Sequence, residues 1–185
     1  MNNLDSQTVK DLQTIKDDYK RALKLVEILF KDKKDKEGKP YINHLIRVSS
    51  KLSNYNTKVA GLLHDTIEDI SNFTYDDLRN LNFNETIIEL VRLVTKDKKN
   101  IQSYHNRITK LIKSNNLEAL KLKLSDIQDN CDLNRLAKLD ELTRKRLYNK
   151  YKDELERLKN ILKEKGEKLW SIYIMIYYRF FITAI

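Results

Sequence analysis

The chain has 185 residues, a length typical of one domain with a substantial core. It contains only three glycines and one proline, while 34% of its residues are charged. This composition favours long helices with short polar connections over a sheet-rich fold, because sheets need frequent turns. The single cysteine, Cys131, excludes an intrachain disulfide and fits a reducing cytoplasm. The N-terminus has no apolar signal core, so we expect no export.

The formal net charge of +9 indicates an affinity for anions. The basic residues are spread along almost the whole chain, without an Arg-rich cluster, a Gly-rich loop or zinc-finger spacing. We therefore expect no nucleic acid partner. Two interpretations of the charge stay open: a solvated lysine-rich surface, or a field that attracts a small, highly phosphorylated substrate.

Apolar residues recur at helical spacing along most of the chain, which predicts an all-α fold. A first long amphipathic helix is expected over about residues 5–30. A charged loop over residues 31–40 follows it and ends in Gly38-Lys39-Pro40. A second helix is expected from Tyr41 onwards.

Later segments continue the helical pattern. Residues 54–56 break the second helix, and a further helix is expected over about residues 57–70. Thr74 and Asp77 predict a variant capping box at the start of a short helix. The remaining helices are expected over residues 85–94, 101–114, 117–130 and 143–165.

The C-terminal tail over residues 168–185 is apolar on nearly all faces and differs from the single domain expected over residues 1–167. Lys168 and Arg179 lie within this tail and make it marginal for spanning a bilayer. Three roles are open: docking onto the domain or a second subunit, contact with a membrane surface, or an incidental extension. We expect docking or a homo-oligomer contact and no membrane span.

The most informative segment is Leu62-Leu63-His64-Asp65-Thr66-Ile67-Glu68-Asp69, which sets four polar residues into an apolar helical run. On a continuous helix Glu68 stands about 40° from His64. Asp65 and Asp69 form a second, adjacent row. One imidazole and three carboxylates along a segment that tends to be buried need a partner, and a divalent cation is the simplest one. The segment predicts a metal-dependent hydrolase whose other ligands lie elsewhere in the chain.

Other residues offer ligands, although none is specific alone. His44 lies in a helical segment, where a histidine is more often hydrogen-bonded than metal-bound. Asp126 and Asn130 are four residues apart and share one helical face. That face is either a polar helix surface or a carboxylate ligand followed by an amide that contacts a ligand. His105 belongs to no such pattern, and we interpret it as an ordinary histidine.

In order and identity these segments resemble the HD-domain family of metal-dependent phosphohydrolases. The closer resemblance is to small alarmone hydrolases, relatives of the hydrolase half of the RelA/SpoT proteins, and it covers about residues 5–158. It implies a single HD-domain helical bundle. The matching runs are Glu37-Gly38-Lys39-Pro40-Tyr41-Ile42-Asn43-His44, the segment from Leu62 to Asp69, Lys123-Leu124-Ser125-Asp126 and Asp129-Asn130-Cys131-Asp132-Leu133-Asn134-Arg135-Leu136.

By position, the resemblance assigns roles to these residues. It implies one divalent cation, typically Mn²⁺, with the ligands His44, His64, Asp65 and Asp126. It implies that Glu68 and Asp69 position and deprotonate the attacking water. Asn130 matches a nucleotide-contacting asparagine. Lys36 is our candidate for charge near the phosphates among the loop lysines Lys33, Lys34, Lys36 and Lys39.

Two positions depart from the family pattern. Leu45 stands where a proline commonly follows the first histidine, which should not affect ligation. Asp35 stands where the long RelA/SpoT enzymes often have a substrate-contacting arginine, as it does in small single-domain relatives. No second region of domain size remains for a synthetase, so we do not expect alarmone synthesis.

Three functions compete. The first is an Mn²⁺-dependent 3′-pyrophosphohydrolase that converts (p)ppGpp into pyrophosphate and GDP or GTP in the cytoplasm. The second is an HD phosphohydrolase of another nucleotide, such as a 5′-nucleotide, a dNTP or NADPH. The third is a catalytically silent binding module. The Glu68-Asp69 pair favours the first over the second, and the complete set of motif residues argues against the third.

Overall fold

The computed structural model describes residues 4–96 and 102–167. Within these residues it contains eleven helices and no strand, which confirms the all-α prediction. No helix in this part of the chain combines the length and the apolar character needed to cross a membrane. In chain order the helices are α1 (Ser6–Thr14), α2 (Asp18–Leu29), α3 (Ile42–Ser50), α4 (Tyr55–Leu63), α5 (Thr66–Asp69), α6 (Tyr75–Asn80), α7 (Glu85–Val94), α8 (Tyr104–Lys113), α9 (Leu117–Asn130), α10 (Leu133–Leu136) and α11 (Glu141–Glu164).

Helix α4 lies at the centre of the bundle and packs against α2, α3, α7 and α9. Its second half is apolar and buried on all sides, from Val59 to Leu63. A helix that is apolar all round must be surrounded by others. The neighbouring helices supply one buried stripe each, such as Leu45 and Val48 on α3. This packing brings α3, the end of α4 and α9 together.

Helices α3 and α4 approach each other closely at Gly61. A Cβ atom at Gly61 would lie 3.0 Å from Ser49 Cα and 3.0 Å from Leu52 Cδ1. Only glycine therefore fits this crossing without displacing a neighbour. The close approach sets the imidazole of His44, on α3, beside that of His64, at the end of α4, with ring centroids 5.4 Å apart.

The prediction of one helix over residues 5–30 is wrong, because the chain forms α1 and α2 there. Ile15 has extended backbone and ends α1. Asp17 then caps α2 by accepting a hydrogen bond from the Lys20 N–H at 2.8 Å. Aspartate is a favoured N-cap residue, so this break had a local sequence signal.

The helix predicted over residues 57–70 is also wrong, since it begins at Tyr55 and divides into α4 and α5. The Gly61 carbonyl accepts a hydrogen bond from His64 Nδ1 at 2.8 Å. The Leu63 carbonyl accepts one from Thr66 Oγ1 at 2.7 Å. Such bonds compete with the backbone pattern of a helix. The helical angle expected between His64 and Glu68 therefore does not apply.

Other elements agree with the sequence more closely. Helices α7 and α9 have the predicted bounds, and the capping box of Thr74 and Asp77 is present. Helix α8 lies within the predicted range of 101–114, and α11 begins at Glu141, after its cap Asp140 and slightly before the predicted start. The short helix α10 was not predicted. The tail over residues 168–185 lies outside the described residues.

Candidate active site

Helices α3 and α9 and the turn after α4 bring imidazole and carboxylate groups into one cluster. His44 Nε2 on α3 lies 3.5 Å from Asp126 Oδ1 on α9, and His64 Nε2 lies 3.7 Å from the same oxygen. One ligand atom from each residue lies within 4.8 Å of the other two. All three residues are buried. The fold thus brings together three of the four predicted ligands at a spacing that one cation could bridge.

Asp65 lies beside this cluster and is held by a tyrosine. Its Oδ2 atom is 3.1 Å from His64 Nε2 and 3.7 Å from His44 Nε2. The same oxygen accepts a hydrogen bond from the Tyr41 hydroxyl at 2.6 Å. Asp65 is not part of the mutually close set of three. It therefore faces both imidazoles while Tyr41 fixes the direction of its carboxylate.

The Nε2 atom of His64 is buried and has no hydrogen-bond partner among the described residues. Since Nδ1 donates to the Gly61 carbonyl, the neutral ring carries a lone pair on Nε2. Buried polar atoms are rarely left unsatisfied in native structures. A neutral imidazole nitrogen beside carboxylates is a common ligand for divalent metals. The donor set therefore fits a divalent cation.

The electrostatics of the cluster agree with this fit. Burial disfavours protonated His44, but hydrogen bonds to Asp126, Asp129 and Asp65 outweigh it and raise the pKa of His44 to about 10. Burial disfavours ionised Asp126, but Lys123 and both histidines hold its pKa well below the ordinary value. The carboxylates thus need positive charge between them, which protons or a metal ion can supply.

Sequence reasoning missed the role of Asp129, which lies behind His44. Its Oδ2 atom is 2.7 Å from His44 Nδ1, and its carboxylate accepts hydrogen bonds from Arg47 at 2.7 and 3.0 Å. Arg135 also contacts it. Burial opposes ionisation, but His44 and Arg47 outweigh it and hold the pKa of Asp129 well below its ordinary value. The available signal was its place three residues after Asp126, on the same helical face.

The two carboxylates predicted to activate water, Glu68 and Asp69, line one cavity of about 460 Å³ that also reaches His44, Asp65 and Asp126. Asp69 Oδ2 lies 2.5 Å from the Lys33 ammonium. Glu68 Oε1 accepts a hydrogen bond from the backbone N–H of Lys96 at 2.5 Å. Neither belongs to the cluster of ligand atoms. The fold therefore places both beside the candidate metal site and outside it.

The predicted substrate contacts also line this cavity. Asn130 Nδ2 donates to Asp126 Oδ1 at 2.7 Å, which confirms that the two share a face of α9. Lys36 lies in the cavity wall, where burial and the nearby Arg146 and Arg135 lower its pKa. His105 instead pairs with Glu154 at 2.6 Å and is absent from the cluster.

The loop before α3 is tied to the bundle by Arg135. Its guanidinium lies 3.1 Å from Asp35 Oδ2 and 2.6 Å from Glu37 Oε1. Asp35 also accepts the backbone N–H groups of Glu37 and Lys39 at 2.9 and 3.0 Å. Asp35, the position that departs from the family pattern, therefore organises the loop that carries the cavity lysines.

Comparison with known proteins identifies relatives with one recurring name. The family model described as the HD domain matches residues 22–157. The chain is 34% identical over 122 residues to a guanosine-3′,5′-bis(diphosphate) 3′-pyrophosphohydrolase of Aquifex aeolicus. The aligned region covers 62% of this chain and 17% of that protein. It is 36% identical over 106 residues to the guanosine-3′,5′-bis(diphosphate) 3′-pyrophosphohydrolase MESH1 of Drosophila melanogaster. That aligned region covers 53% of this chain and 58% of the MESH1 protein.

A solved structure has the same fold. It belongs to a metazoan ortholog of SpoT described as hydrolysing ppGpp, and it superposes with a TM-score of 0.57 at 22% identity. The superposition covers 80% of this chain and 96% of that chain. At this identity the likeness concerns the fold. The chain matches less than a fifth of the Aquifex relative and less than two thirds of the Drosophila one.

Proposed function

Because this chain belongs to the HD-domain family, we propose that it is a metal-dependent 3′-pyrophosphohydrolase of (p)ppGpp that leaves GDP or GTP. The observation that carries the proposal is the buried cluster of His44, His64 and Asp126 at one cavity with Glu68 and Asp69. Within it, His64 Nε2 faces carboxylates but makes no hydrogen bond to any described residue. The shared name of the relatives supports the choice of substrate.

The proposed metal ligands are His44, His64, Asp65 and Asp126. Two imidazoles with two carboxylates suit a borderline divalent cation, and Mn²⁺ is the proposed one. When bound, the cation lowers the pKa of water and stabilises negative charge on phosphoryl oxygens. Asp129 acts behind the ligands by accepting the Nδ1–H of His44, which keeps Nε2 free to coordinate.

The carboxylates of Glu68 and Asp69 are proposed to orient the attacking water and to take its proton. The water oxygen forms a bond to the 3′-linked phosphorus as the bond from that phosphorus to the nucleoside 3′-oxygen breaks. The 3′-oxygen leaves with a proton, and pyrophosphate is released. Lys36 places positive charge at the cavity wall, and Asn130 is proposed to contact the nucleotide.

Turnover by the purified chain tests this function. We expect GDP and pyrophosphate from ppGpp in the presence of Mn²⁺ and neither product with a chelator. The same assay includes dGTP, NADPH and a nucleoside monophosphate, which should be poor substrates. Phosphate released from NADPH would favour the second hypothesis of a different nucleotide phosphohydrolase. No turnover of any substrate with added metal would instead favour a binding module.

A further inference from the structure

One part of the cavity wall, formed by α8 and α11, combines aromatic rings with cations. We call this group the aromatic-basic wall; it consists of Tyr104, Arg107, Lys150 and Tyr151. The two tyrosine rings meet edge to face with centroids 5.3 Å apart. Lys150 Nζ donates to Tyr151 Oη at 2.8 Å and lies 5.3 Å from the Tyr104 ring centre. The Arg107 guanidinium lies 5.1 Å from the same ring centre. The cations are thus held in place by aromatic rings.

The cations of this wall have no carboxylate partner in the described part of the chain. Arg107 and Lys150 form no ion pair there, whereas Arg47 and Arg135 elsewhere are paired with Asp129. Burial lowers the pKa of Lys150, and the nearby cations Lys123, Lys36 and Arg107 lower it further. Partly buried like charges repel one another, and a bound anion would relieve that repulsion.

Two buried hydrogen-bonding atoms of the wall are also unsatisfied. Tyr104 Oη and Arg107 Nε have no hydrogen-bond partner among the described residues. The same is true of His64 Nε2, the atom proposed to bind the metal. Native structures leave few such atoms unpaired, so each calls for a physical explanation. A ligand rich in acceptor oxygens would satisfy both donors of the wall.

Lys123 connects the wall to the candidate metal site. Its Nζ atom lies 2.8 Å from Asp126 Oδ2, on a proposed metal ligand, and 6.0 Å from the centre of the Tyr104 ring. The wall therefore begins one side chain away from the metal ligands. A group bound at the wall would be the immediate neighbour of a phosphoryl group bound at the metal.

We propose that Tyr104, Arg107 and Lys150 form a subsite for the distal phosphoryl group of a diphosphate whose proximal group lies at the metal ligands. This inference rests on the proposed function and deepens it, because it predicts a preference for a diphosphate over a monophosphate. Guanidinium and ammonium groups bind phosphate oxygens through charge-assisted hydrogen bonds. The Tyr104 hydroxyl adds a neutral donor. A lone phosphate at the metal ligands would leave this subsite empty.

Calorimetric binding of inorganic pyrophosphate and orthophosphate to the Mn²⁺-loaded chain tests the subsite without turnover. Wild type should bind pyrophosphate more tightly. Arg107→Gln and Lys150→Gln should each weaken pyrophosphate binding by roughly tenfold to a hundredfold and leave orthophosphate binding unchanged. Tyr104→Phe, which removes one oxygen, should weaken it by roughly two- to tenfold. The matched controls Lys113→Gln and Lys152→Gln, at exposed positions of α8 and α11, should bind both anions as wild type does.

Several outcomes would overturn the subsite: unchanged pyrophosphate affinity in all three wall variants, equal losses for both anions, or weaker guanosine binding with unchanged pyrophosphate binding. The last result would assign the wall to the base. Circular dichroism checks the folding of each variant. If Arg107→Gln or Lys150→Gln unfolds, the pyrophosphate affinity of Tyr104→Phe still tests the subsite. A wild-type chain that binds pyrophosphate as expected but hydrolyses no nucleotide would refute the proposed function and support the subsite.

Discussion

Asp129 differs from the other carboxylates near the two histidines in the groups that its carboxylate contacts. Its partners are the Nδ1 atom of His44 and the guanidinium groups of Arg47 and Arg135. Asp126, by contrast, faces the Nε2 atoms of both histidines. A carboxylate on the far side of a ligating imidazole fixes the ring's tautomer and direction, and such partners strongly affect metal affinity.

Replacing Asp129 with asparagine should therefore weaken metal binding. We expect Asp129→Asn to lower Mn²⁺ affinity by about 10- to 100-fold, because the amide no longer holds the His44 ring as a charged acceptor. Asp132→Asn is the matched control, since asparagine preserves the N-cap of α10 while removing a nearby charge. Metal titration below the unfolding temperature measures the effect. Equal affinities in the two variants would contradict the role of Asp129.

The proposed roles of Asp65 as a metal ligand and Glu68 as the base give a second prediction at this scale. Asp65→Ala should abolish both metal binding and turnover. Glu68→Gln should keep the metal and reduce turnover by about 10²- to 10⁴-fold, the contribution expected of a general base. Metal content and ppGpp hydrolysis measured on both variants check this. A fully active Glu68→Gln enzyme would show that Glu68 is not the base.

At the scale of helices, the end of α4 decides where the proposed ligands stand. The helix stops after Leu63, so His64 and Asp65 lie in a turn between α4 and α5. The crossing of α3 and α4 at Gly61 sets the distance between the two histidine-bearing segments. Site geometry is therefore coupled to the packing of these two helices.

This coupling predicts a double effect for Gly61→Ala. Alanine favours a helix interior by up to about 1 kcal/mol over glycine, but overpacking against Ser49 and Leu52 costs about 1–3 kcal/mol. We expect net destabilisation and weaker Mn²⁺ binding, since α3 must shift and carries His44 with it. Thermal unfolding and metal titration measure the two effects. Ser50→Ala, at an exposed position of α3, is the control. A stabilised Gly61→Ala variant with native metal affinity would contradict this account.

At the scale of the whole molecule, the net charge of +9 has a spatial distribution that composition does not give. Many lysines are exposed, as the interpretation of a solvated surface expects. Several lysines, some of them exposed, also line the cavity, as the interpretation of a field for a phosphorylated substrate expects: Lys33, Lys34, Lys36, Lys123 and Lys150. Both interpretations therefore describe part of the molecule.

The position of the cavity also predicts the result of truncation. Its lining residues end at Tyr151, and the described core ends with Leu162 on α11. A chain that stops before Lys168 should therefore keep metal binding and turnover within about twofold of the full chain, as expected for changes away from a site. Metal titration and hydrolysis assays of both chains measure this. Lost metal binding would mean that the tail contributes to the site.

The sequence by itself determined the all-α class, the bounds of α7 and α9 and the residues that could act as ligands, because periodicity and caps depend on neighbours a few residues apart. It did not reveal that the helix stops after Leu63, although the two hydrogen bonds that end it, from His64 to Gly61 and from Thr66 to Leu63, are local. Only the tertiary structure could bring His44 against Asp129, 85 residues away, or gather Arg107 and Lys150 beside the ring of Tyr104. Such contacts depend on how helices pack, and no pattern within one helix records that. The candidate ligands could be named in advance, while the residues that orient them and the aromatic-basic wall required the assembled bundle.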